Sequence, residues 1–252
     1  MTGENKHHLI LEQLVTLTRQ ANNHLVQIGS LASSHQYLLL YKLFQKYLTG
    51  ERKVLDWGTG NGHFSYFLCR AGYQAVGFSM EDFIFKDWLK GYPQYKFVKG
   101  RINEPTLLPF KNSSFDCVVS VGVLEHVHEF GGNEGGSMKE IARILKNKGL
   151  FICYHLPNRY SAIEYLGKWL TNKFHHQYRF TFSDIKKLTA ATGFILLEKG
   201  RYGFLPRNSL GRLPKRLAYS KALANFWDIL DNILSLIFSP FCQNYFFVVR
   251  KR

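Results

Sequence analysis

The spacing of apolar residues along this chain changes character twice. In the first fifty residues they recur every three or four places. "HLILEQLVTLTRQ" and "HQYLLLYKLFQKYL" therefore predict two helices, interrupted at Gly29-Ser30. From Lys53 onward short apolar runs alternate with amphipathic ones. "KVLDWG", "YQAVGF", "YKFVKG", "SSFDCVVSV" and "LFICYHLPN" predict strands. "GHFSYFLCRAG", "EDFIFKDWLKGY" and "GGSMKEIARILKNKG" predict the helices between them, the last one closed by Gly149. Such alternation builds a parallel sheet covered on both faces, an α/β fold.

Beyond residue 158 the order loosens. "TFSDIKKLTAATGF" predicts a helix capped by Thr181 or Ser183 and ended by Gly193. "FILLEKGRYGF" predicts a strand, and "NYFFVVRKR" a final one. A long insertion separates these two. The expected organisation is an N-terminal helical cap over 1–50, a core over 51–202, a helical insertion over 203–242 and the last core strand over 243–252.

Composition changes the picture in three ways. Of 252 residues, 46% are hydrophobic, enough to bury a substantial core. The polar start "MTGENKHHLI" lacks the layout of a signal peptide, and the greasy "FWDILDNILSLIFSPFC" is too short to span a bilayer and contains Asp228 and Asp231. The four cysteines, Cys69, Cys117, Cys153 and Cys242, show no paired spacing and read mostly as buried thiols of a reduced, cytoplasmic protein.

The net charge of +15 is unevenly spread. Residues 155–227 carry 13 basic side chains against Glu164, Asp184 and Glu198. The tract from Lys199 to Lys221 holds seven, Lys199, Arg201, Arg207, Arg212, Lys215, Arg216 and Lys221, and no acid. This points to an anionic partner, with a merely solvated surface as the alternative. Next to it, Trp227, Leu230, Ile233, Leu234, Ile237 and Phe238 can share a helix face. Asp228, Asp231 and Asn232 occupy polar positions, unlike the lysine-rich polar face of a typical membrane helix. A lid, a dimer contact and peripheral membrane contact through 199–238 all stay open. The tract lacks regular aromatic stacking partners, which argues against nucleic acid.

The densest chemistry is in "VLDWGTGNGHFSYFLCRAGY". Gly58, Gly60 and Gly62 alternate between a strand and a helix, where a side chain would block a ligand and where positive φ suits glycine. The following helix start offers backbone N–H groups to an anion. The spacing is G-x-G-x-G, distinct from the dinucleotide fingerprint. Together with "FDCVVSVGVLEHV" and "EIARILKNKGLFICYHLPN", this stretch resembles class I S-adenosylmethionine-dependent methyltransferases, of the small-molecule and quinone-type group.

That resemblance covers roughly residues 50–200. It implies a three-layer, seven-stranded, mostly parallel sheet with an antiparallel last strand. It also implies S-adenosylmethionine as cofactor, with Asp56 near its amino group and Gly58, Gly60 and Gly62 along its methionyl part. Ser79 stands where the family has its ribose-binding acid, and Arg101 where it has an adenine-contacting acid. Serine lacks the bidentate acceptor of a carboxylate, so weaker binding is expected, with Glu81 or Asp82 able to reach in. Arg101 would turn to solvent while Ile102 covers the adenine.

Methyl transfer to a hydroxyl needs a base near the strand ends. The candidates are His155 in "CYHLPN", His176 in "FHHQYRF" and His126 in "LEHVHE", with Glu125 beside the cofactor. The quinone group's metal motif, Glu-x-x-x-Glu-His, lacks its first acid here, so no metal is expected. The reading that follows is O-methylation of a small or lipid-like acceptor, potentially anionic. Its rivals are a non-catalytic scaffold of the same fold and an N-methyltransferase acting on RNA or protein.

Overall fold

The computed structural model describes residues 3–21, 25–82, 86–101, 103–167 and 176–252. The chain forms two compact units. One comprises residues 1–49, 161–169 and 201–243, the other residues 50–160, 170–200 and 244–252.

The first unit begins with α1 (Gly3–Gln20), α2 (Leu31–Ser34) and α3 (Leu38–Tyr47). The break predicted at Gly29-Ser30 is an N-terminal cap: the Ser30 hydroxyl accepts from the Ser33 amide, and Ser33 returns the bond to the Ser30 backbone.

The second unit is the alternating region. In chain order it contributes β1 (Lys53–Trp57), α4 (His63–Ala71), β2 (Gln74–Ser79), α5 (Lys86–Leu89), β3 (Lys96–Lys99), β4 (Phe115–Val121), α6 (Glu134–Ile144) and β5 (Leu145–Pro157). After α7 (Ala162–Gly167), in the first unit, come α8 (Phe182–Ala191) and β6 (Phe194–Tyr202). The first unit then supplies α9 (Lys215–Ala218) and α10 (Lys221–Ile237), and β7 (Asn244–Lys251) closes the sheet.

Seven strands lie in the order β3-β2-β1-β4-β5-β7-β6, and β7 runs antiparallel to β5. The expected architecture is therefore present. The order reverses between β1 and β4, the place where open α/β sheets hold ligands beyond the carboxyl ends of their strands. Val54, Leu55, Val118, Val119, Phe151, Ile152, Phe247, Val248 and Val249 are fully buried, as strands covered on both faces require.

One expectation needs correction. Gly149 does not close α6. The helix ends at Ile144, where Leu145 turns to extended backbone, and Gly149 lies within a 13-residue β5 whose pairing with β4 is irregular between Phe115 and Cys117. The leucine and lysines of "LKNK" read equally well as helix; pairing with β4 overrides that propensity. In the other helix, the N-cap is Thr181, whose hydroxyl accepts from Asp184 while Asp184 accepts from the Thr181 amide.

α10 departs further from the pattern read in the sequence. Asp228 and Asp231 face inward, not outward. Arg207 donates to Asp228 Oδ1 at 2.7 Å and to Asp231 Oδ2 at 3.1 Å, and its Nη1 also donates to the Ala32 carbonyl. His35 Nδ1 sits 2.7 Å from Asp228 Oδ2. The amides of Phe204 and Leu205 both donate to Asp231 Oδ1 at 2.8 Å. Burial by itself would raise the Asp228 carboxyl, but the bond to His35 and the Arg207 charge bring it below the usual range. Arg207, counted above among surface charges, is thus an internal counter-ion with only 9% of its side chain exposed.

Removing Arg207 leaves two acids without their cation. Arg207→Met is expected to lower stability by about 3–5 kcal/mol in urea denaturation. A loss under 1 kcal/mol would mean that the network is replaceable.

Candidate functional site

The site begins where β1 ends. Asp56 is the fourth residue of that strand and is 2% exposed. Ser65, one turn into α4, donates its hydroxyl to Asp56 Oδ2 at 2.6 Å, tying strand to helix beneath the intervening turn. Burial raises the Asp56 carboxyl to about 7, and the Ser65 bonds pull the other way.

Above it, Gly58, Gly60 and Gly62 all have positive φ, 76°, 52° and 81°. The turn hangs from β2: the amides of Gly58 and Thr59 both donate to the Phe78 carbonyl, at 2.8 and 2.9 Å. A Cβ on Gly58 would lie 2.3 Å from Val123, so that position excludes side chains on two counts. Gly62 is the N-cap of α4 and brings no side chain to its first amides. A helix start without a side-chain cap is a place where an anionic group can meet backbone N–H groups.

The second wall comes from β4 and β5. Gly122 follows β4 with φ 67°. The place its missing Cβ would occupy is 3.7 Å from Glu125 Oε1 and 3.8 Å from His155 Cβ. Glu125 is 4% exposed, and burial raises its carboxyl to about 8. His155 itself has φ 61°, costly for a non-glycine residue. The β5–β7 register shifts between Cys153 and Leu156, and this bulge re-aims His155 at the end of its strand. Burial holds its imidazole near 3, with the nearby His63 and His176 adding to the effect.

The three candidate bases are brought to one side of the sheet. The rings of His126 and His176 are 5.7 Å apart, and His176 lies close enough to His155 to influence its charge. His126 differs in that its Nδ1 is 2.6 Å from Glu129. Glu125, His126 and His176 each offer a donor atom, all within 4.8 Å of one another, close enough to hold a divalent ion. The sequence motif could not reveal this grouping, because His176 comes from a distant loop.

Of the other predicted contacts, Ser79 ends β2 half-buried, and its hydroxyl oxygen accepts from the Glu81 amide at 3.2 Å. Its own hydrogen is left for another acceptor. Arg101 turns to solvent, 83% exposed and 3.5 Å from Glu104. Ile102 lies outside the described residues. A cleft of about 490 Å³ is lined by Met80, Lys99, Gly100, Arg101, Asn103 and Glu104. Residues not singled out from the sequence are His63, Ser65, Gly122 and Val123. His63 was the most legible of them, standing at the first position of a helix that opens on a glycine turn.

Residues 55–153 match the family model described as a methyltransferase domain. They span the glycine turn, Gly122, Glu125 and most of β5. Those residues form a methyltransferase domain, on the fold shared with S-adenosylmethionine-dependent methyltransferases.

A protein of Encephalitozoon cuniculi with a provisional methyltransferase designation is 27% identical over 175 residues, covering 63% of this chain and 78% of that protein. The YcgJ protein of Bacillus subtilis superposes with a TM-score of 0.57 at 18% identity, over 87% of this chain and 99% of its own. A phosphoethanolamine N-methyltransferase of Haemonchus contortus superposes at 0.56 and 17% identity, over 86% of this chain and 52% of its own. At such identities these structures establish the shared fold.

The cradle fits S-adenosylmethionine. The start of α4 suits the methionyl carboxylate, the three glycines of the turn admit a ligand at backbone distance, and Ser79 retains a hydroxyl donor.

The buried acids of the methyltransferase site set a pH dependence. A carboxyl raised in the folded state binds its proton there more tightly, so the stability it contributes is lost as pH rises. For Glu125 the window runs from its ordinary value near 4.5 up to about 8. Glu125→Gln should therefore raise the melting temperature more at pH 8.5 than at pH 5. Parallel melting curves for the two proteins across that range would contradict this assignment.

Proposed function

We propose that this methyltransferase methylates a hydroxyl of a small or lipid-like acceptor, one able to carry negative charge, with His155 as the base. When bound, S-adenosylmethionine supplies an electrophilic methyl group. The chain's own task is to hold the acceptor in line, exclude water and take up the hydroxyl proton.

The observation that carries this reading is the backbone of His155. A non-glycine residue held at φ 61° on a bulge next to the cofactor cradle is strain of the kind retained at functional sites. Its imidazole is neutral at physiological pH and so has a lone pair for a proton. His176 and His126 stand nearby as the alternative proton acceptors. An amine acceptor would need no such base, because its neutral form already carries the attacking lone pair.

On the cofactor side, Gly58, Gly60 and Gly62 would line the methionyl part and Ser79 would meet the ribose. Asp56 would act through Ser65 and the turn, near the amino group. Glu125, protonated near neutrality, would offer a hydrogen bond beside Gly122. The chain's net charge of +15 supports an anionic acceptor.

Calorimetry with S-adenosylhomocysteine checks the cradle. Wild type is expected to bind, and Gly60→Arg to abolish binding, since its side chain fills the ligand's path. Ser79→Asp is expected to tighten binding by about tenfold, the worth of a charge-assisted bond. Unchanged affinity would hand the ribose contact to another residue, such as Glu81.

For the chemistry, His155→Gln should lower kcat by about 10²–10⁴-fold while leaving S-adenosylhomocysteine affinity within about twofold. If kcat is unchanged and an amine acceptor turns over, the N-methyltransferase reading replaces this one. If no acceptor is methylated while the cofactor binds normally, the scaffold reading does.

A further inference from the structure

α10 is turned inside out relative to an ordinary surface helix. Its buried side holds Ala224 and Asp231, with Asp228 half-buried beside them. Its outward side carries Phe226, Ile229, Ile233, Leu236 and Ile237, at 60, 62, 52, 82 and 63% exposure. At 100° per residue these five fall within one arc of about 100°. Phe238 and Phe241 extend the exposed apolar surface past the helix end, at 42 and 49%. Asn225 and Asn232 lie exposed along one edge of that arc, which itself carries no charge between Ala222 and Phe238. An apolar strip of this size marks an interaction surface.

The segment leading into the helix supplies the second observation. Arg212, Lys215 and Arg216 are exposed, with Leu217 exposed among them at 48%. None of these three cations has an acid within its own segment, because residues 199–227 contain none. Lys221, at the helix start, is held by Glu12 at 2.6 Å. The same unit thus presents a neutral apolar strip adjoining a positive cluster.

We propose that this face of α10, with the Arg212–Arg216 segment, docks on an anionic lipid bilayer. The apolar strip enters the interface between headgroups and acyl chains, and the basic cluster meets the lipid phosphates. Charge decides between this and a second copy of the chain. A twofold contact would press this surface against itself, and it holds no acid to match its cations. The acids that would oppose a bilayer, Asp228 and Asp231, are neutralised inside the unit by Arg207 and His35. No described helix is long and apolar enough to cross a membrane, so α10 lies on the surface.

Vesicle cosedimentation without cofactor or acceptor tests this separately from methyl transfer. Wild type is expected to bind phosphatidylcholine vesicles containing phosphatidylglycerol at least about tenfold more tightly than phosphatidylcholine alone, and to weaken with salt. Arg212→Gln/Lys215→Gln/Arg216→Gln and Ile233→Asn/Leu236→Asn should each lose about tenfold or more. Both sets lie at exposed positions, and their S-adenosylhomocysteine affinity should match wild type. As an independent readout, a polarity-sensitive dye on Leu236→Cys should shift to the blue only with anionic vesicles. Absence of vesicle binding at low salt overturns the proposal. So does sedimentation showing a wild-type dimer that Ile233→Asn/Leu236→Asn dissolves, which would assign the strip to a second copy.

Discussion

The turn between β1 and α4 has to do two incompatible things, and most of the site follows from how it does both. It must come close enough to β2 for its amides to bond the Phe78 carbonyl, and it must leave its upper side free of atoms. Left-handed backbone at Gly58, Gly60 and Gly62 satisfies the second demand. The bond from Ser65 to the buried Asp56 satisfies the first from below by fixing where α4 starts. α4 then begins on Gly62 without a side-chain cap, next to the glycine turn. Val123 presses against Gly58 from the β4 side, so the loops after β1 and β4 are positioned by one contact.

The opposite wall depends on that contact too. Gly122, left-handed at φ 67°, lies beside both Glu125 and His155, and the bulge near the end of β5 sets the direction of His155. The chain there accepts an unfavourable backbone angle and two poorly solvated titratable groups, and neither helps the fold. A neutral imidazole and a protonated carboxyl coexist at neutral pH because burial disfavours the charged form of each. The rigid sheet absorbs the cost.

The other unit solves a different problem. A helix with two acids near its middle would normally turn them to water. Here Arg207 arrives from the preceding loop and binds both, with His35 completing one and the amides of Phe204 and Leu205 the other. Once the acids are neutralised inside, the apolar residues between them have nowhere to go but outward. The exposed strip on α10 is thus a consequence of an internal ion network, which hydrophobic spacing alone does not reveal.

What the sequence determined by itself was local and periodic. Alternating runs required a covered parallel sheet, three spaced glycines required a positive-φ turn, and "VLEHV" and "CYHLPN" put candidate chemistry at strand ends. The solvent-facing Arg101 and the capped helix at Thr181 were legible for the same reason, since short-range chemistry decides them. Tertiary structure alone decided which side of α10 faces out, that "LKNK" extends a strand, that His63 and His176 bear on His155, and that Gly122 lies beside both Glu125 and His155. Each of those joins residues far apart in the chain, or sets a long-range pairing against a local preference. Periodicity reports that a face exists; only the partner that meets it, such as Arg207 for Asp228 and Asp231, settles which face is buried.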